Sequence, residues 1–143
     1  VQATDASTPA LQALALRRGV CQDFAHVMIG CLRSLGLPAR YVSGYLLTEP
    51  PPGQSRLVGS DASHAWVSLY LPGEEPGAPG QWSDLDPTND RAPGEDYVQG
   101  GTGRGYADVS PVGGGVDGGA HHRLHVAVTV RPVDREATPT IAG

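Results

Sequence analysis

Gly19-Val20-Cys21-Gln22-Asp23-Phe24-Ala25-His26-Val27-Met28-Ile29-Gly30-Cys31-Leu32 is the stretch that decides the fold. Phe24, Met28, Cys31, Leu32 and Leu35 recur at the i, i+3, i+4 spacing of a helix buried along one face. Gly36 supplies a C-cap and Pro38 prevents continuation. This places Cys21 at a helix N-terminus, where unpaired backbone N–H groups and the helix dipole stabilise a thiolate. Downstream stand Ser63-His64-Ala65-Trp66-Val67 and Trp82-Ser83-Asp84-Leu85-Asp86-Pro87-Thr88. An imidazole can take the thiol proton and a carboxylate can hold the imidazole in the right tautomer. The order Cys, His, Asp, each on its own element, reads as a cysteine nucleophile triad.

Working outward, Ser7 or Thr8 is a plausible N-cap, with Pro9 at the first position of a short helix carrying Leu11, Leu14 and Ala15 and ending near Gly19. Residues 39–47 read as a strand rich in aromatic and β-branched residues. Residues 49–60, with three successive prolines, read as a surface loop. Residues 65–71 are a second strand, with Ala65, Val67, Leu69 and Leu71 on one face and Trp66, Ser68 and Tyr70 on the other. A third short strand covers 81–85 and stops at Pro87. Residues 98–119 hold nine glycines and are expected to form no regular element, but a long functional or disordered loop. Leu124, Val126, Val128 and Val130 then alternate with polar and small residues as a half-buried strand does. One helix followed by consecutive strands predicts an α+β domain, the nucleophile helix packed on an antiparallel β-sheet.

The 143 residues are read as one domain over 1–143, and the abrupt start leaves open a fragment lacking an N-terminal region. The net charge of −5 argues against nucleic acid as a partner. No apolar run approaches the ~20 residues that span a bilayer, and no signal peptide opens the chain. No membrane partner and a cytoplasmic location are therefore expected. All ten basic residues are arginine, so no internal lysine can accept an acyl group. In one helix Cys21 and Cys31 lie about 15 Å apart, beyond the ~7 Å limit for a disulfide. One thiol is then chemical; Cys31, on the apolar face, is expected in the core.

Four ordered blocks carry a family resemblance: Gly-Val-Cys21-Gln-Asp-Phe-Ala-His, Leu-Gly-Leu-Pro-Ala-Arg-Tyr-Val-Ser-Gly-Tyr, Ser-His64-Ala-Trp-Val and Leu-Asp86-Pro-Thr-Asn. Over residues 9–131 the chain resembles the transglutaminase-like superfamily, and more narrowly its small bacterial members. Tyr106-Ala-Asp108-Val and the terminal alternating stretch fit the same pattern. The resemblance implies a papain-like core in which Cys21 attacks a carboxamide carbonyl and His64 serves as base and then acid. Asp86 would orient His64 and stabilise its imidazolium. The thioester would be resolved by water or by an amine. Bacterial relatives commonly carry a β-rich region before the nucleophile helix, whereas only twenty residues precede Cys21 here.

Beside these readings stand plainer ones. His64 could be an exposed histidine at a strand start. Asp84 competes with Asp86, since both point to one face of a regular strand; the Asp-Pro-Thr context favours Asp86. Asp23 suits the helix dipole or holds the active-site loops. The Cys21 N–H is a reasonable oxyanion donor, with Gln22, Trp66 and Tyr106 as open candidates for the second donor or the cleft wall. Trp66 and Trp82 also suit packing aromatics near the site. His121, His122 and His125 lack the accompanying ligands of a zinc site. The glycines from Gly100 to Gly105 lack a phosphate-loop ending, and no acidic run resembles a calcium loop. No metal or other cofactor is expected. The function expected is acyl transfer on peptide or isopeptide (glutamine-type) amides, hydrolysis slightly ahead of transamidation, with a peptide or protein substrate. The alternative is a non-catalytic peptide-binding module on the same fold.

Overall fold

A computed structural model describes residues 10–48, 53, 63–110 and 126–133. Helix α1, Ala10–Leu16, ends where Arg17 turns to a φ of 52°. Helix α2 runs Cys21–Ser34 and stops as its glycine foretells. Gly36, at φ 76°, donates to the Arg33 carbonyl and Leu37 reaches back to that of Leu32, each at 3.0 Å. Arg33 then ties this end of α2 down, donating to the Ala39 carbonyl from Nε and Nη2 and to the Arg104 carbonyl from Nη2.

Strands β1 (Ala39–Leu46), β2 (Ser63–Leu71), β3 (Gln81–Leu85) and β4 (Tyr97–Gly103) form one antiparallel sheet in the order β3-β2-β1-β4. A 3-10 turn follows at Tyr106–Asp108. The core lies where α2 crosses β1 and β2: Ala25 and Ile29 meet Ala39, Tyr41, Ala65 and Val67, with Cys21, Met28, Leu32, Tyr106 and Val109 around them. The period of two along β2 holds, because Trp66 is buried on the opposite side from Ala65 and Val67, beside Tyr97. The architecture is the expected α+β one, with α2 on an antiparallel sheet.

Three expectations are corrected. The buried stripe of α2 is the row Cys21, Ala25, Met28, Ile29 and Leu32, so Cys31 is exposed rather than core. Phe24 is turned towards α1 into a groove with Ala13 and Leu14, and Leu35, past the helix end, is 76% exposed. The glycine-rich run begins as a strand, β4, because its glycines permit close approach. A Cβ on Gly103 would stand 2.6 Å from that of Asp108. The alternating stretch near Val128 is no strand among its described residues: Val128 alone makes a bridge. Val130 to Val133 instead border an open cavity with Leu47, Asp96 and Val98.

Residues 7–9, the loop 49–60 apart from Gly53, Leu124 and His121, His122 and His125 lie outside the described residues. Among the described residues no helix is long and apolar enough to cross a membrane.

Candidate active site

The first turn of α2 is shaped by its neighbours. Val20, extended at φ −95° and ψ 173°, offers no capping side chain. Asp23 supplies what is missing, its Oδ2 accepting the Val20 N–H at 2.9 Å. The carboxylate is buried, and a Cβ on Gly19 would come within 2.8 Å of it. Asp23 thus braces the turn that presents Cys21, joining both readings of that residue. Cys21, half-buried, is the first helical residue, so its N–H has no intrahelical acceptor.

His64 enters at the start of β2, opposite Gly44 of β1. Its ring stacks on Trp66 with centroids 6.2 Å apart and leans on Tyr97 at 5.9 Å. Nε2 lies 2.7 Å from Asp86 Oδ2 and 3.4 Å from Asn89 Nδ2, and Cys21 is a further hydrogen-bonding partner of the ring. Burial alone would lower the His64 pKa. Its hydrogen bonds to Cys21 and Asp86, with the charge of each, outweigh burial and raise it.

Asp86 follows β3, just before a tight turn closed by reciprocal backbone bonds with Arg91. Only 2% exposed, it accepts five hydrogen bonds. Oδ1 takes the N–H groups of Thr88 and Asn89; Oδ2 takes His64, the Asn89 amide and the Tyr97 hydroxyl. Burial works to raise its pKa, yet the bonds from Tyr97, His64 and Asn89 win and hold it at about 2. The group is therefore a carboxylate wherever the protein is folded near neutrality. Asp84 is occupied elsewhere, accepting the Trp66 indole N–H at 3.0 Å.

The three residues Cys21, His64 and Asp86 are brought together from α2, β2 and the turn after β3. Of the cleft candidates, Gln22 is half-buried beside Cys21. Trp66 backs His64 and has its only N–H donor of the side chain engaged by Asp84. Tyr106 sits further along, its backbone N–H donating to His26 Nε2 at 3.2 Å and its ring edge-on to Tyr41. Tyr41, buried and stacked on His26, has its phenol pushed well above the usual range by burial and then by the charges of Cys21, Tyr106 and Asp23. It is a neutral hydroxyl close to the thiol.

Sequence reasoning did not single out Asn89, Tyr97, Arg91 or Tyr41. Asn89 closes the Leu-Asp-Pro-Thr-Asn block and was legible as part of that motif. Tyr97 carries no local signal, because its contact with Asp86 is made only when β4 pairs with β1.

Residues 1–87 match the profile of the transglutaminase-like superfamily, and the chain belongs to that superfamily. It is 47% identical over 135 residues to an uncharacterised protein of Mycobacterium tuberculosis, covering 94% of this chain and 42% of that one. The chain thus spans 42% of the length of that curated relative. A protein-glutamine gamma-glutamyltransferase of Pseudomonas aeruginosa is 41% identical over 78 residues, 54% of this chain and 11% of its own. Among solved structures, a candidate cysteine protease from Cytophaga hutchinsonii superposes with a TM-score of 0.57 at 31% identity, covering 76% of this chain and 32% of that one.

Proposed function

We propose, on the premise of that membership, that the chain carries a cysteine acyl-transfer site acting on peptide or glutamine-type amides. The observation that carries the reading is the line Cys21, His64, Asp86, with the imidazole between the thiol and a carboxylate held ionised. His64 takes the Cys21 proton, and the helix N-terminus favours the resulting thiolate. Sγ attacks the amide carbonyl carbon, the C–N bond breaks, and the imidazolium returns its proton to the leaving nitrogen. Ammonia or an amine departs and a thioester remains. Water or an acceptor amine, deprotonated by His64, then attacks that carbonyl; the C–S bond breaks and the thiolate is regenerated.

Asp86 orients the ring and stabilises the imidazolium without taking the proton. The Cys21 N–H is one oxyanion donor, and the Gln22 side chain is a candidate for the second. Hydrolysis is favoured slightly over transamidation. No lysine in the chain can serve as acceptor.

The test is the rate of iodoacetamide alkylation against pH, read by peptide mass for the native chain and for His64→Ala. Fast modification of Cys21 well below pH ~8.5, the ordinary thiol range, and its loss in the variant are expected. Ordinary thiol behaviour in both proteins would favour the binding-module reading and remove the enzymatic one.

A further inference from the structure

Asp86 Oδ2, the oxygen that pairs with His64, holds two further donors: Asn89 Nδ2 at 2.8 Å and the Tyr97 hydroxyl at 2.6 Å. Tyr97 is not free to turn its proton elsewhere. Arg91 Nε donates to the same hydroxyl oxygen at 3.1 Å, and the Arg91 guanidinium lies over the Tyr97 ring at 4.8 Å, paired with Asp96. Arginine is donor-only and a carboxylate acceptor-only, so the phenol between them accepts from Arg91 and donates to Asp86. The ring is fixed as well, edge-on to Trp66 at 5.3 Å and against His64.

A carboxylate oxygen shared among three donors presents less charge to each than one shared between two. We propose that Tyr97, aimed by Arg91, is a positioning residue that draws off part of the Asp86 charge and so limits how tightly His64 holds its proton. Its consequence for catalysis rests on the acyl-transfer reading above; the effect on His64 itself does not. Such a limit suits a group that must both take a proton and return it, since a base held too strongly protonated gives its proton up slowly.

The groups facing His64 are Cys21 from α2, Asp86 and Asn89 from the turn after β3, Trp66 from its own strand and Tyr97 from β4. Arg91 and Asp96, opposite in charge, stand behind Tyr97. Among the described residues, Cys21, Asp86 and Tyr97 are the direct neighbours that titrate. Replacing Cys21 therefore leaves the Asp86–Tyr97 arm as the variable.

The experiment is an NMR titration of the His64 ring in Cys21→Ser protein, with and without Tyr97→Phe. Phenylalanine keeps the ring against Trp66 and His64 and deletes only the hydroxyl. His64 is expected to titrate higher in the Tyr97→Phe protein by about half a unit or more, the scale of one donor to a charged group. Arg91→Gln, a change at an exposed side chain, should move it the same way by less. A His64 titration unchanged or lowered in Tyr97→Phe overturns the proposal. Should that variant not fold, an unchanged or lowered value in Arg91→Gln does so. Alkylation of the native chain separately decides the acyl-transfer reading, so Tyr97 can succeed or fail on its own.

Discussion

Asp86 is the residue on which the site turns, because it is both buried and acceptor to five donors. Asparagine is nearly isosteric but neutral, and it brings an N–H₂ group to face donors already there. In Asp86→Asn the imidazolium loses its charged partner. A drop of one unit in the His64 pKa would lower the thiolate share, and the Cys21 alkylation rate near pH 6, by about tenfold. An undiminished rate would mean that the thiolate depends on the helix terminus alone. Cys31 provides the internal control. It is exposed and far along the same helix, so its alkylation should be the same in native chain and variant. At this scale the sequence was informative where chemistry is local. The choice of Asp86 over Asp84 followed from its neighbours in the chain, and Asp84 proves to hold the Trp66 indole. The misplacement of Cys31 came from an apolar spacing that two different stripes of the helix could satisfy. Tertiary contact with β1 and β2 selected Cys21, Ala25 and Ile29.

At the scale of elements, glycine was the misleading residue. The run from Gly100 onward looks irregular by composition, yet β4 pairs with β1 through it, with a register shift between Ser43 and Gly44. The reason lies in the partner strand. A Cβ on Gly44 would come 2.1 Å from the Val98 carbonyl oxygen and 2.6 Å from the Trp66 ring. No alternation pattern reveals a steric demand set by a residue twenty-two positions away. Gly44→Ala should therefore push β4 or Trp66 aside, with a loss of about 2 kcal/mol or more in stability by urea unfolding. Because Trp66 backs His64, Cys21 alkylation should slow as well. A variant as stable as the parent would show that β4 yields freely.

The nucleophile helix carries its own test. Asp23 caps the Val20 N–H, so Asp23→Ala should cost about 1 kcal/mol, seen as a lowered urea midpoint with unchanged slope. An unaffected midpoint would assign the carboxylate to another contact. The helix itself and its glycine stop were readable because caps and periodicity are local. The long-range ties from Arg33 to the Ala39 and Arg104 carbonyls were not, since either end of each bond is uninformative alone.

For the molecule as a whole, the candidate site is also a bond between elements, joining α2, β2, the turn after β3 and β4. Its ionisation therefore enters the stability of the fold. Asp86 is held at about 2, below its ordinary 3.8. A lowered carboxylate pKa gives stability that is full above the unfolded value and is lost as pH falls through the folded one. His64 is raised above its ordinary 6.5. Its contribution is full below that unfolded value and lost as pH rises through the folded one. The two conditions overlap between about pH 4 and pH 6.5, where the contribution of the pair should be greatest. Asp108, lowered by its bonds to Arg104, adds to the acid side only and is exposed enough for solvent to weaken it. Thermal midpoints across pH 2 to 9 should therefore rise from the acid side, pass through this window and decline above it. In Asp86→Asn the alkaline decline should flatten and the acid flank should become shallower, leaving the Asp108 share. A native midpoint that climbs steadily from pH 6.5 to 9 would contradict the raised His64, and with it the electrostatic coupling that makes these elements one site.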